Sequence, residues 1–289
     1  MAKANFAENQ LQQEVTFSIY KYFQEKFNVD IDIIIPSLSD EVNLGWDSGF
    51  LHPYSNQPAY QEGCNLFIQY KISEKLTTSR AAEWSEWGTE YFRFKIPHGK
   101  SDYHQWELLK KIADKNYPVF YVTNSVLDRY KLFEMRRNGC LLEHSPTLDI
   151  RLINKHKHVT FTDCSSDFKL HSFVEISRKS NTMEKLDAIV DLGDSYSLPS
   201  FMEKIHEAIH EAIHEAIHEY MNLIPYESYN YSDNDFLVRK YDVIRMYLIR
   251  IQECIENENY IYGYYLLNVF VKKFIGAQMF WIPKVKQET

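Results

Sequence analysis

The sequence predicts an α/β protein with a C-terminal all-α region. Three observations support this class. The chain begins with an apolar pattern of helical period, strand-like and helical segments then alternate up to residue 178, and long helical patterns fill the remainder. Such alternation is typical of a sheet flanked by helices. We therefore predict an α/β domain over residues 1–178 and a helical domain over residues 179–289.

The N-terminal elements are predicted from their apolar spacing. A helix is expected from Gln10 to Phe27, where apolar residues recur at helical spacing without Gly or Pro. Alternating β-branched residues predict a strand at Val29–Pro36, and another follows at Asn43–Leu51. Two dense apolar runs, Cys64–Ile72 and Thr89–Ile96, have the length of strands.

A helix at Asp102–Lys115 and a strand at Tyr117–Thr123 are predicted next. The strand is almost continuously apolar, as expected for one buried on both faces of a sheet. Three shorter elements complete the predicted α/β domain: a helix through Leu132 and Arg136, and strands at Val159–Thr162 and Phe173–Ile176.

Three helices are predicted in the C-terminal region, at Pro199–Leu223, Asp233–Asn257 and Tyr260–Gly276. The first contains an IHEA repeat from Ile205 to Tyr220, whose four histidines stand four residues apart. Adjacent histidines share a helix face, so a zinc site is one interpretation. No downstream ligand pattern accompanies the repeat, which favours a solvated helix lengthened by duplication.

Composition excludes several classes of protein. The four cysteines are widely spaced and form no CxxC pair, which argues against a structural zinc site and a disulfide framework. The first ten residues are polar and lack the apolar segment of a secretion signal. Lys272 and Lys273 interrupt the most apolar stretch, Tyr260–Trp281. We therefore expect a cytoplasmic protein without a membrane span.

The charge distribution is compatible with a nucleic-acid partner. The net charge is −8, but residues 68–179 carry 19 Lys and Arg against 14 Asp and Glu. A chance fluctuation is one explanation of this basic middle region, and contact with phosphates is another. The side chains expected to meet phosphates are Arg80, Arg93, Lys95, Lys100, Arg136, Arg137, Arg151, Lys155 and Lys157.

Four residues form a candidate metal and catalytic site. Gln69 and Lys71 are two apart on a predicted strand, so their side chains leave the same face. Asp47 lies in the preceding strand, in GWDSGF, and Glu14 lies on the first helix. Cleavage by metal-activated water needs oxygen ligands and a nearby cation. If the strand of Asp47 pairs with the strand of Gln69, one metal ion can be reached by the carboxylate of Asp47, the amide oxygen of Gln69 and the ammonium group of Lys71.

These residues and the order of elements over residues 8–176 resemble the PD-(D/E)xK superfamily of restriction-endonuclease-like nucleases, with an αβββαβ core. The resemblance implies that Glu14, Asp47 and Gln69 bind Mg²⁺ or Mn²⁺ and that Lys71 orients or activates the attacking water. Gln69 stands where the family most often has a carboxylate. The C-terminal helices lie outside the resemblance.

The resemblance implies a DNA endonuclease, with restriction or anti-phage defence as its setting. The alternative is a catalytically inactive module of the same fold that binds DNA or another protein. Three of the four site residues also have a structural interpretation: Lys71 as the polar end of a strand, Glu14 as a solvated residue and Asp47 as a turn residue. His104 and Gln105 could reach a phosphate, but a contact on the helix surface is the simpler expectation. The C-terminal helices could form a homodimer or bind a partner.

Overall fold

The computed structural model describes residues 1–27, 32–34, 49–51, 63–96, 105–154, 158–164, 167–171, 176–178, 181–182, 196–223 and 231–283. Within these ranges the chain forms two five-stranded sheets and one two-stranded sheet, with helices packed against them. The predicted mixed α/β class is confirmed. The restriction-endonuclease-like arrangement of its core stays a prediction.

The described helices are α1 (Glu8–Phe27), α2 (Trp84–Trp87), α3 (Gln105–Asp114), α4 (Arg129–Arg137), α5 (Leu198–Leu223), α6 (Tyr231–Glu256) and α7 (Tyr260–Phe270), the last continued by a π-helical turn, Val271–Ile275. The described strands are β1 (Asp32–Ile34), β2 (Gly49–Leu51), β3 (Gly63–Lys71), β4 (Glu74–Leu76), β5 (Tyr91–Lys95), β6 (Val119–Thr123), β7 (Pro146–Asp149), β8 (His158–Phe161), β9 (Phe168–His171), β10 (Ile176–Arg178), β11 (Asn181–Thr182) and β12 (Gln278–Pro283).

The elements with strong sequence patterns lie close to their predicted positions. Helices α1, α3, α5 and α6 and strands β3, β5 and β6 begin and end within three residues of the expected limits. The strand expected at Phe173–Ile176 falls mainly outside the described residues, and β9 and β10 lie on either side of it. Strand β4 and the short helix α2 have no counterpart among the predicted elements.

The first five-stranded sheet has the order β11-β7-β6-β3-β12. Strands β3 and β6 are parallel, with Phe67 opposite Val119 and Lys71 opposite Thr123. Strand β12 lies antiparallel on the other side of β3, with Gln278 opposite Ile68. The parallel pair is buried on both faces, which explains why both strands are almost continuously apolar.

The two faces of β3 pack against different helices. Leu66, Ile68 and Tyr70 belong to a hydrophobic cluster with α1 and α4, whereas Phe67 belongs to a larger cluster with α3, α5 and α7. Because side chains alternate along a strand, Gln69 projects on the same side as Phe67. The strand therefore separates α1 from the face that carries Gln69 and Lys71.

The second sheet is antiparallel, in the order β10-β9-β8-β5-β4. One face supplies Phe92, Phe94, Val159, Phe161 and Phe168 to the larger hydrophobic cluster. The opposite face is polar, and the cross-strand register aligns its side chains in rows. These side chains are Glu74, Arg93, Lys95, His158, Thr160, Lys169 and His171. Helix α2 lies over this face, where Trp87 Nε1 donates a hydrogen bond to Thr160 Oγ1 at 3.0 Å.

The prediction of an all-α C-terminal region is wrong for residues 181–182, which form β11 beside β7, and for residues 278–283. After the π-helical turn, Gly276 adopts φ +69° and the chain returns as β12 along the edge of β3. The apolar run Met279–Ile282 has no alternation that distinguishes it from the preceding helix, so pairing with β3 decides its conformation. The three predicted helices of the region are present as α5, α6 and α7.

One hydrophobic cluster contains residues from both predicted domains. Leu109 and Ile112 on α3 belong to the same cluster as Ile205 on α5 and Leu267 on α7. Parts of the two predicted domains therefore share a core, and the boundary at residue 178 stays a prediction. None of the described helices combines the length and apolar composition that a membrane crossing requires.

Candidate functional site

Gln69 and Lys71 lie at the carboxyl end of β3, beside the carboxyl end of the parallel strand β6. In open α/β sheets, ligands bind outside the carboxyl ends of such strands. Gln69 is 2% exposed, and its Nε2 donates a hydrogen bond to the Tyr70 carbonyl at 3.3 Å. Its Oε1 is buried without a hydrogen-bond partner among the described residues. An acceptor in this state lacks the hydrogen bonds that water would otherwise supply.

Lys71 and Gln105 are joined directly. Lys71 Nζ donates a hydrogen bond to Gln105 Oε1 at 3.3 Å. Gln105, the first residue of α3, therefore faces the end of β3, whereas a contact on the helix surface was the simpler expectation. His104 lies outside the described residues.

Gly276 closes this group of side chains from the other side. A methyl group added to Gly276 would lie 2.0 Å from Gln105 Nε2 and 3.4 Å from Gln69 Oε1. At this positive φ glycine is unstrained, and a larger residue would displace the Gln105 side chain. We call Gln69, Lys71, Gln105 and Gly276 the amide cluster.

Lys71 also lines a cavity of about 350 Å³ between β3 and the second sheet. We call it the Lys71 cavity. Its charged lining consists of Lys3, Glu8, Lys71, Glu74, Arg93 and Lys95. Four cations thus face two carboxylates, so the cavity favours an anion. Arg93 and Lys95, expected from the sequence to contact phosphates, line the same cavity as Lys71, which was expected to act in catalysis.

The positions of Arg93 and Lys3 are fixed by neighbouring elements. Arg93 donates two hydrogen bonds to Glu74 Oε1, from Nε at 3.2 Å and from Nη2 at 2.7 Å. The N-terminal segment pairs with β4 through two backbone hydrogen bonds between Ala2 and Lys75, at 2.7 and 2.8 Å. This pairing carries Lys3 to the cavity. Nothing in the local sequence around Lys3 indicates it, because the contact joins distant segments.

Glu14 is not brought to Gln69 and Lys71. It lies on α1, on the opposite side of β3, and its Oε2 forms an ion pair with Arg136 Nε. Burial raises the pKa of the Glu14 carboxyl, while the Arg136 guanidinium opposes this shift. The physical reason for the separation is that α1 packs on the face of Leu66 and Ile68. Arg136, assigned from sequence to phosphate contact, is instead the partner of Glu14.

Asp47 lies outside the described residues. Strand β2, the described end of its predicted strand, pairs with β1, where Gly49 lies opposite Ile34. The neighbours of β3 in the described sheet are β6 and β12. The expected pairing of the Asp47 strand beside Gln69 is therefore absent from the described strand pairs.

The histidine repeat forms part of α5, as predicted. His206 is half-buried and its Nε2 lies 3.0 Å from the Leu248 carbonyl of α6. Burial lowers the pKa of His206, and the neighbouring His210 adds to this effect. The described histidines of the repeat do not converge with other ligands into a group that could hold a metal ion.

Comparison of this chain with family models, curated proteins and solved structures found no match. The family resemblance therefore rests on the four motif residues and the order of elements. Of those four residues, the described structure brings together Gln69 and Lys71, and it adds Gln105 and the cations of the Lys71 cavity.

Proposed function

We propose that this chain is a metal-dependent nuclease that holds a phosphate group of its nucleic-acid substrate in the Lys71 cavity. DNA is the expected substrate, and restriction or anti-phage defence is the setting that the family resemblance suggests. One observation carries the proposal: Lys71, Arg93 and Lys95 converge on a single cavity at the carboxyl end of β3.

The charges of the cavity support binding of a phosphodiester. Glu74 partly neutralises Arg93, so Lys3, Lys71 and Lys95 provide most of the positive potential. The volume falls within the range of about 300–1,000 Å³ that is typical of small-molecule sites. A phosphate with its adjoining sugar would fit such a space, and salt would weaken the contact because phosphate binding releases counterions.

The described residues fit a divalent ion only in part. Gln69 Oε1 is a buried oxygen in need of a partner, and amide oxygens are ligands that Mg²⁺ and Mn²⁺ accept. Glu14 does not fit, because it lies across the sheet in an ion pair with Arg136. We therefore assign Asp47 and Gln69 as ligands and omit Glu14. A bound ion would supply an activated water, and Lys71 would stabilise negative charge on the phosphate.

A second candidate function is a catalytically inactive module that binds DNA. The separation of Glu14 from Gln69 favours it, because an amide alone provides no charge to hold a divalent ion. This module would use the same cavity, so DNA affinity by itself does not distinguish the two candidates. Cleavage does.

The deciding experiment measures DNA cleavage and DNA binding together. Plasmid and linear DNA are incubated with the protein and Mg²⁺ or Mn²⁺, and binding is measured at two salt concentrations. Lys71→Ala is the test variant. Lys131→Ala is the control, because Lys131 is an exposed lysine of α4 that does not line the cavity.

Three outcomes are informative. Cleavage by the parent and Lys131→Ala proteins, lost in Lys71→Ala, supports the nuclease. Salt-sensitive binding without cleavage, weakened only by Lys71→Ala, supports the inactive module. If Lys71→Ala binds and cleaves like the parent, or if the parent does neither, the proposed site is wrong.

A further inference from the structure

Two histidines of the second sheet face each other across neighbouring strands. His158 on β8 lies directly opposite His171 on β9. Their rings stack, with centroids 4.8 Å apart and planes inclined by 15°. They lie on the polar face of the sheet, and His171 is only 8% exposed. Two imidazoles at this distance would repel each other if both were in the positively charged imidazolium form.

A carboxylate completes this group. Glu83, which directly precedes α2, is 6% exposed, and its Oε1 lies 2.6 Å from His158 Nε2. One ligand atom from each of Glu83, His158 and His171 lies within 4.8 Å of the other two. We call these three residues the histidine cluster. Among the described residues, no other group of His, Cys, Asp and Glu side chains converges in this way.

A ring of hydrogen bonds fixes the orientation of the cluster. Tyr91 donates a hydrogen bond from its hydroxyl to Glu83 Oε2 at 2.6 Å. Thr160 Oγ1 lies 2.6 Å from His171 Nε2 and accepts a hydrogen bond from Trp87 Nε1. Metal-binding histidines and carboxylates are typically oriented by such contacts from surrounding residues.

A purely structural role would also use these contacts, since they attach α2 to the sheet. That role accounts for the hydrogen bond between Glu83 and His158. It also accounts for contacts of the second imidazole, because His171 Nε2 lies 2.6 Å from Thr160 Oγ1 and its Nδ1 lies 3.7 Å from Glu86 Oε1 of α2. It does not require two imidazoles and a carboxylate to place ligand atoms within 4.8 Å of one another. A cation between the three groups would bind both rings in their neutral form and balance the carboxylate charge.

We propose that Glu83, His158 and His171 bind a zinc ion. Two imidazole nitrogens and one carboxylate form a ligand set that zinc uses when a fourth position stays open to water or substrate. Mg²⁺ and Ca²⁺ prefer oxygen ligands, so they fit this cluster poorly. The cluster is separate from the ligands assigned to the nuclease site, and zinc binding does not depend on nuclease activity.

The histidine cluster adjoins the Lys71 cavity. Arg93 lines the cavity, and its Nη1 lies 3.7 Å from Glu83 Oε2. Arg93 also forms an ion pair with Glu74, which lines the cavity as well. An ion at Glu83 would therefore change the charge balance around a cation that faces the cavity.

The test is zinc binding to the metal-free, full-length protein, without DNA. Calorimetric titration with Zn²⁺ is combined with the visible spectrum of the Co²⁺ form, which reports the coordination number and geometry of the ion. The variants are His171→Ala and Glu83→Gln, and Glu83→Gln retains the size of the side chain. His210→Ala is the control, because His210 is an exposed histidine of the repeat.

The parent and His210→Ala proteins should each bind one zinc ion with the same affinity. The zinc affinity of His171→Ala and of Glu83→Gln should fall by more than the roughly 10- to 100-fold that removal of an orienting contact costs. Thr160→Val removes only an orienting contact, so the decrease in its zinc affinity should stay within this roughly 10- to 100-fold range. Circular dichroism verifies that each variant is folded.

Three results would overturn the proposal. The first is a folded parent protein that binds no zinc. The second is equal zinc affinity in the parent and the folded Glu83→Gln protein. The third is loss of zinc in His210→Ala with retention in His171→Ala, which would assign the ion to the repeat of α5.

Discussion

Replacement of Gly276 by alanine tests the packing of the amide cluster. Gly276 has φ +69°, a conformation that costs an L-residue about 1–2 kcal/mol. The new methyl group would lie 2.0 Å from Gln105 Nε2, so the Gln105 side chain must move. This movement breaks the hydrogen bond from Lys71 to Gln105. A typical hydrogen bond contributes about 1 kcal/mol to stability. We apply this value to the bond between Lys71 and Gln105, because Lys71 is only partly buried. The free energy of unfolding should therefore fall by about 2–3 kcal/mol.

A matched control separates the two contributions. Gly139 has φ +74°, but a methyl group there would meet no atom within 4 Å. Gly139→Ala therefore has the backbone cost alone, about 1–2 kcal/mol. Both variants are compared by equilibrium unfolding in urea, with circular dichroism as the signal. The difference between them measures the crowding at Gly276.

A double-mutant cycle identifies the crowded neighbour. Gln105→Ala removes the side chain that the new methyl group would meet, so Gly276→Ala in that background should cost no more than Gly139→Ala. DNA affinity provides a second measurement, because movement of Gln105 releases Lys71 from its position. The reasoning is refuted if Gly276→Ala and Gly139→Ala destabilise the protein equally and Gln105→Ala changes neither cost.

Three further predictions concern catalysis, pH and the repeat. Lys71→Ala should slow single-turnover DNA cleavage even at saturating Mg²⁺, because the ammonium acts mainly in the transition state. Gln69→Ala should instead be partly rescued by more metal, and Gln69→Glu should keep or strengthen metal binding. The free energy of unfolding should fall as the pH drops below 6.5, the ordinary pKa of a histidine. Burial lowers the pKa of His206 in the folded state, so the unfolded chain binds more protons in this range. Urea unfolding of His206→Gln should show a weaker dependence on pH. Deletion of one IHEA unit from Ile205–Tyr220 should leave cleavage within an order of magnitude, as measured on plasmid DNA.

Each of these predictions has an outcome that contradicts it. Parent-like cleavage by Lys71→Ala and Gln69→Ala would show that the site is elsewhere. An unchanged pH profile in His206→Gln would assign the acid sensitivity to other groups. Loss of both zinc and cleavage on deletion of one repeat unit would favour the metal interpretation of the repeat.

The local period of the sequence was sufficient to find α1, β3 and β6. Apolar residues at helical spacing place Leu11, Val15 and Ile19 on one buried face of α1. The continuous apolar run of β6 reflects burial on both faces of the sheet. Strand β12 could not be found in this way, because its apolar residues continue a helical segment and its conformation depends on β3.

The sequence predicts neighbouring site residues only where they lie on one strand. Gln69 and Lys71 share a face because alternation along a strand has a period of two. The position of Glu14 depends on how α1 packs, and that packing turns it toward Arg136 on α4. The histidine cluster joins positions 83, 158 and 171, and no local pattern connects them.

The sequence by itself determined most of the helical and extended segments, among them α1, β3 and β6 but not β12, and which side chains leave one strand face together. These properties depend on neighbours a few residues apart, because backbone periodicity sets them. The tertiary structure decided which helix covers each face of β3, which cations meet in the Lys71 cavity and which carboxylate reaches the two histidines. These outcomes depend on contacts between residues far apart in the chain, where the packing of whole elements outweighs local preference.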